Sequence, residues 1–274
     1  MNLVIPKEIR KYIDNQHFQI DLIGKSNATK MILDDCVLKM EAVSDEVDNE
    51  VQMLRWWDSK LLPVPEIYEN MQVDGMNYLL MEKLSGDASY EVIVRRCTEE
   101  LIDLLVANLK LLWKVDVSDC PSIQTLDVKL KRAKERVENN VVDVYDAEEG
   151  TFGEGGFESP AELWEWLNNN RPQEDQLVLA HGDFCLPNLI ASGVYLTGFI
   201  DLGRSGVSDI YQDIALCYRS LRHNLEGKYG VLQSFTEAEV DNYGDMFFKK
   251  LGIEPDWDKI DYYILLDELF YQLN

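Results

Sequence analysis

The chain has 274 residues, 46% of them hydrophobic and 28% charged, enough apolar material for a substantial core and a composition that excludes a mainly disordered state. Lysine and arginine number 26 against 50 aspartates and glutamates, a formal charge of −24. That balance makes nucleic acid and anionic membrane surfaces poor partners, and it favours a cationic small molecule where it does more than keep the protein soluble.

At roughly 150 residues per domain, two domains are expected. The amino terminus lacks a signal-peptide pattern, and no apolar run approaches the ~20 residues of a membrane span. Cys36, Cys97, Cys120, Cys185 and Cys217 form no Cys-x-x-Cys pair, so neither a disulfide framework nor a zinc site is indicated and a cytoplasmic location is expected.

Alternating runs read as strands over 18–23, 29–33 and 36–40, parted by turns at 24–27 and 34–35, which is an antiparallel meander. A helix is expected over 45–59, where Val47, Val51 and Leu54 recur at helical spacing, and Pro63-Val64-Pro65 prevents its continuation. Two further strands, 66–73 and 77–83, complete a β-rich first domain, 1–86. Beyond it the pattern changes to helices over 98–114, 126–138, 161–168, 209–222, 237–251 and 257–273, which make 87–274 a mostly helical second domain. Ser159-Pro160-Ala161-Glu162 is a helix-start signature. The fold class read from this order is α+β in two lobes.

The stretch 177–202 interrupts the helices and carries the informative polar residues. His181-Gly182-Asp183 is followed by Asn188, and then by Asp201 within Gly198-Phe199-Ile200-Asp201-Leu202-Gly203-Arg204. Phosphoryl transfer to a hydroxyl needs this set: Asp183 to orient the acceptor and take its proton, and Asn188 and Asp201 to hold Mg²⁺ against a triphosphate. Upstream, Lys39 lies in an apolar strand where an ammonium needs an anionic partner. Glu50 falls beside the apolar stripe of the 45–59 helix and is the candidate. The pair would aim the ammonium at nucleotide phosphates. Gly24, Ser26 and Asn27 lie between two strands, where backbone N–H groups could cover those phosphates. A P-loop is rejected, because Gln19 stands where that motif needs glycine and no helix follows. His181 is read as a histidine bracing the loop.

These motifs, with Asp213-Ile214-Ala215-Leu216-Cys217-Tyr218-Arg219 and the terminal Tyr263 to Phe270 segment, closely resemble the aminoglycoside 3′-phosphotransferases, the kanamycin kinases. The resemblance covers nearly the whole chain and implies a protein-kinase-like fold with ATP or GTP and Mg²⁺ as cofactors. It implies Asp183 as catalytic base, Arg204 beside the active site, and Asn188 and Asp201 on magnesium. Lys39 and Glu50 become the phosphate-positioning pair, and the hinge from Glu82 to Leu84 offers backbone groups to the base. For a polyamino sugar it implies carboxylates in the loop 141–158, Glu148, Glu149 and Glu154 among them, together with Arg219, Asp267 and Glu268.

Asp267 shares a helix face with apolar residues and needs a partner that the sequence does not obviously supply; a substrate ammonium would serve, and so would a cap or a structural ion pair. His223 and Asn224 stand where relatives often carry acids, the chain continues past Phe270, and Val37 replaces an aromatic ring that some relatives stack on the base. The expected activity is transfer of the γ-phosphate of ATP to an aminoglycoside hydroxyl, the 3′-hydroxyl first, with antibiotic resistance as the consequence. The rivals are a kinase of the same fold acting on another small hydroxylated metabolite and a non-catalytic nucleotide-binding protein.

Overall fold

The structure, a computed structural model, describes residues 5–14, 16–21, 28–91, 98–174, 176–228 and 235–271. Its amino-terminal lobe is a five-stranded antiparallel sheet in the order β1 (Gln19–Asp21), β2 (Thr29–Ile32), β3 (Cys36–Ala42), β5 (Met76–Glu82) and β4 (Ile67–Val73). Side chains alternate across such a sheet. Met31, Leu38, Met40 and Leu80 therefore point to one face, where they bury Ile9 of helix α1 (Lys7–Ile13). Val37, Leu79 and Met81 point to the other and join the core of the whole molecule.

Helix α2 (Asp45–Ser59) lies against that second face, with Val51, Met53, Leu54 and Trp57 buried. Its start is fixed by Ser44, whose hydroxyl accepts the Val47 N–H, and by three acids in the first turn that suit the positive end of the helix dipole. Two bonds from Asn49 Nδ2, each 2.9 Å, reach Gly203 O and Ser205 O. Trp57 Nε1 donates to Ser205 Oγ at 3.1 Å. The lobes are thus tied through α2.

The carboxy-terminal lobe holds α3 (Thr98–Leu112), α4 (Leu126–Glu138), α5 (Pro160–Asn169), α6 (Ile210–Leu225), α7 (Glu237–Leu251) and α8 (Trp257–Asp267). Two small antiparallel sheets cross it: β6 (Asp87–Ala88) with β8 (Leu189–Ser192) and β9 (Tyr195–Phe199), and β7 (Leu177–Ala180) with β10 (Gly206–Asp209). The Ser159 hydroxyl accepts the Glu162 N–H, as the helix-start signature requires.

The structure departs from the expected elements at several ends. Helix α1 was not foreseen, and the expected strand 18–23 runs partly outside the described residues. The last helix stops at Asp267 rather than continuing to 273, giving way to a 3₁₀ turn over Glu268–Phe270. Arg136 of α4 explains the stop. Its guanidinium donates to the carbonyls of Leu269, Phe270 and Tyr271 at 2.8, 3.2 and 2.9 Å, so carbonyls at the end of the turn find partners on another helix instead.

Candidate active site

Strand β3 carries Lys39 on the face opposite Leu38, so its ammonium leaves the apolar outer core and enters the cleft between the lobes. There Nζ lies 2.7 Å from Glu50 Oε2, 3.0 Å from Asp201 Oδ1 and 3.3 Å from Glu41 Oε1. Burial opposes its charge, but the three carboxylates outweigh burial and hold the ammonium protonated well above its ordinary range. Glu50 is 2% exposed, and burial pushes its carboxyl up to about 7 against the pull of Lys39. The expected Lys39–Glu50 pair is therefore formed.

Asp201 follows β9 in a left-handed backbone conformation, φ 60° and ψ 57°, which turns its carboxylate back toward the sheet. It also receives Lys30 Nζ of β2 at 3.1 Å on Oδ2. Burial would raise this carboxyl, yet Lys39 and Lys30 hold it well below the usual range. Lys30 was not among the residues expected from sequence.

The loop after β7 carries Asp183. Asn188 Nδ2 donates to Asp183 O at 3.0 Å and to its Oδ2 at 2.9 Å, and Cys185 Sγ lies 3.0 Å from Oδ1. Asn188 O accepts from Ile200 N–H at 3.0 Å, which places Asn188 beside Asp201 in the chain fold. His181 braces this loop as expected. It is fully buried, Nε2 meets Ile200 O at 3.0 Å, and Nδ1 accepts the Asp183 N–H at 3.3 Å. Asp213 of α6 holds the loop from below, accepting the N–H groups of His181 and Gly182 at 2.7 and 2.9 Å. Gly182 has φ +85°, and a Cβ there would meet Arg204 O at 2.0 Å, so only glycine fits.

Beyond Asp183 lies a charged wall. Asp267 accepts from Arg204 NH1 at 2.7 Å on Oδ1 and from Arg219 NH2 on Oδ2. Of the two readings open for Asp267, a substrate ammonium or a structural pair, the pair is formed: Arg204 and Arg219, distant in sequence, supply it. Glu268 is fully buried, with Arg219 NH1 3.3 Å from Oε1 and the Glu148 N–H on Oε2 at 2.9 Å. Burial pushes its carboxyl up to about 8. Glu148 is salt-bridged to Lys228 and to His223, whose Nε2 is 3.3 Å away. Those bonds hold its carboxyl well below the usual range although burial opposes them. Glu149 and Glu154 are exposed. Asn224 faces inward, 2% exposed, and gives its amide to Ser220 O at 2.8 Å.

Glu82 ends β5 and Leu84 follows it, packed so closely on β9 that a Cβ on Gly198 would lie 2.6 Å from Leu84 Cδ1. Between them, Lys83 N–H is taken by Asp35 O at 3.0 Å. The expected phosphate-covering residues Gly24, Ser26 and Asn27 lie outside the described residues.

The donor set fits a magnesium ion. Asn188 spends its N–H groups on Asp183 and leaves its side-chain oxygen, while Asp201 holds only ammonium groups that a divalent cation can displace. Among the described residues no three His, Cys, Asp or Glu side chains gather as a metal cage. Magnesium needs none, because it binds through one or two protein oxygens together with waters and substrate phosphates.

A kinase-like pair of lobes around such a cleft defines a phosphotransferase. The family model of the phosphotransferase enzymes, APH, matches residues 15–263, and the chain belongs to that family. It is 41% identical over 223 residues to an aminoglycoside 3′-phosphotransferase of Niallia circulans, covering 81% of this chain and 78% of that protein. To the aminoglycoside 3′-phosphotransferase of Enterococcus faecalis it is 35% identical over 278 residues, covering 97% and 98%. Among solved structures, an aminoglycoside phosphotransferase from Streptomyces rimosus in complex with ADP and streptomycin superposes with a TM-score of 0.78 at 21% identity, covering 95% of each chain. That last likeness concerns the fold.

Proposed function

We propose that the protein transfers the γ-phosphate of ATP to a hydroxyl of an aminoglycoside, the 3′-hydroxyl first, and so confers resistance to that antibiotic. The observation that carries this reading is the meeting of Lys39, Glu50 and Asp201 in one cleft, with Asp183 and Asn188 joined beside it. In this reading residues 1–86 form the nucleotide lobe, residues 87–274 form the catalytic and substrate lobe, and the protein works in the cytoplasm. No helix among the described residues is long and apolar enough to cross a membrane.

Asp183 receives the acceptor hydroxyl on its carboxylate, orients it and takes its proton as the new O–P bond forms. Its Oδ2 is already held by Asn188, so the carboxylate presents a fixed lone pair. Lys39, kept charged by its acids, binds the α- and β-phosphates and stabilises the charge that develops on the leaving group. Asn188 and Asp201 hold Mg²⁺, which neutralises the triphosphate when bound. Glu148, Glu149, Glu154 and Asp267 are the carboxylates offered to substrate ammonium groups; Arg204 and Arg219 fix the orientation of Asp267, and the buried Glu268 holds Arg219 and the Glu148 N–H behind them. Glu82 to Leu84 receive the base. The added phosphate is a dianion on a ligand that recognises RNA through positive charge, so its affinity for RNA falls.

An ADP-release assay with kanamycin, neomycin and amikacin tests the reading, and mass spectrometry with NMR locates the new phosphate. Stimulation by at least one drug is expected, whereas nucleotide binding without ADP release from any of them would sink the proposal. Asp183→Asn is expected to keep nucleotide affinity and to lose about 10²–10⁴-fold in turnover. Wild-type turnover in that variant removes Asp183 from the role of base.

A further inference from the structure

Lys30 lies on β2, and its neighbour Met31 is buried in the outer core, so alternation sends Lys30 to the cleft face. The register sets it directly opposite Lys39 on β3. Like charges opposed across a ladder repel, and a pair of lysines there needs a counter-charge between them. Asp201 supplies it. Lys30 takes Oδ2 at 3.1 Å and Lys39 takes Oδ1 at 3.0 Å. The two ammonium groups together bring two positive charges to the carboxylate, the charge of a divalent cation.

Their situations differ in what remains once Asp201 turns to a metal. Lys39 keeps Glu50 and Glu41. Lys30 has no second anion among the described residues, so release from Asp201 leaves its ammonium on the cleft face without a counter-charge.

We propose that Lys30 is a second triphosphate-binding lysine, one that stands on Asp201 while the nucleotide site is empty and moves to a phosphate oxygen when the metal and nucleotide arrive. This rests on the kinase reading above. It gives the residue two opposed effects: Lys30 competes with a free cation for Asp201 and cooperates with the nucleotide.

Both are measurable without turnover. Calorimetry with a non-hydrolysable ATP analogue and Mg²⁺ is expected to show about tenfold weaker binding in Lys30→Met, the loss of one charge-assisted hydrogen bond. Titration with Mn²⁺ alone, followed by electron paramagnetic resonance, is expected to show tighter metal binding in the same variant. Lys30→Arg keeps the charge and holds nucleotide affinity within about twofold of wild type. A purely structural lysine would weaken both or neither. Nucleotide affinity in the Met variant within about twofold of wild type overturns the assignment, and so do coincident Mn²⁺ curves. A wild-type protein that binds no nucleotide analogue overturns the kinase reading itself, and the role of Lys30 with it.

Discussion

Asp267 shows how one side chain sets a whole wall of the site. Its carboxylate is 5% exposed, and each oxygen is taken by a different arginine, Arg204 from the segment after Asp201 and Arg219 from α6. Burial disfavours the charge, yet Arg219 and Arg204 hold the carboxyl below its ordinary value. A depressed acid contributes stability above its unfolded value of 3.8, and the contribution is lost as pH falls through the folded value. Asp267→Asn is therefore expected to lower unfolding free energy by about 3–5 kcal/mol at neutral pH, because two cations lose their buried partner. Urea unfolding at pH 7 checks this, and a loss under about 1 kcal/mol would mean that the arginines find other anions at no cost. None of this network could be read from sequence. Arg204, Arg219 and Asp267 stand on separate elements, and the apolar helix face around Asp267 announced a buried acid without naming its partners. Asp183, Asn188 and Asp201 were legible because their spacing is local and each role demands a particular donor atom.

Element boundaries were legible where the chain carries its own punctuation. Helix α2 begins after the Ser44 cap and ends before Pro63, and both limits agree with the apolar stripe of Val47, Val51 and Leu54. Helix α8 was read too long because apolar residues continue through Leu269, and only the tertiary bonds from Arg136 reveal why the helix tightens and stops. Helix α4 contributes another residue that periodicity hides. Lys129 is 5% exposed and lines a cavity of about 480 Å³ shared with Arg204, Gly182 and Asp267. Burial, and then the charge of Arg204, push its amine down from 10.5 to about 8. The unfolded chain thus binds a proton that the folded chain has released between about pH 8 and 10.5, so stability rises with pH across that window and the cost of charging Lys129 is fully present below it. Lys129→Met removes that cost while keeping the stem's volume. It is expected to gain on the order of 1–3 kcal/mol at pH 7 and to abolish the rise between about pH 8 and 10.5. Denaturant titrations at three pH values decide the matter. A variant that is less stable than wild type at pH 7 would show that Lys129 is a needed partner of Asp213 and Asp267.

At the scale of the whole molecule, the long-range field and the local site pull in different directions. The formal charge of −24 attracts a polycationic sugar from beyond contact distance and repels a magnesium-bound nucleotide. On the proposed reading the nucleotide meets positive charge at short range, where Lys39 and Lys30 stand on Asp201 and helix α2 links that corner to the segment of Gly203 and Ser205. Salt separates the two contributions, since screening at ~0.15 M ionic strength reaches exposed charges more than about 8 Å apart and spares buried pairs. Raising salt at fixed free Mg²⁺ is therefore expected to lower kcat/KM for the aminoglycoside several-fold and to leave that for the nucleotide unchanged or higher. Initial rates with each substrate varied in turn give both slopes. Parallel falls for the two substrates would mean that the acidic surface serves solubility alone and that recognition of the drug resides in the carboxylates it touches.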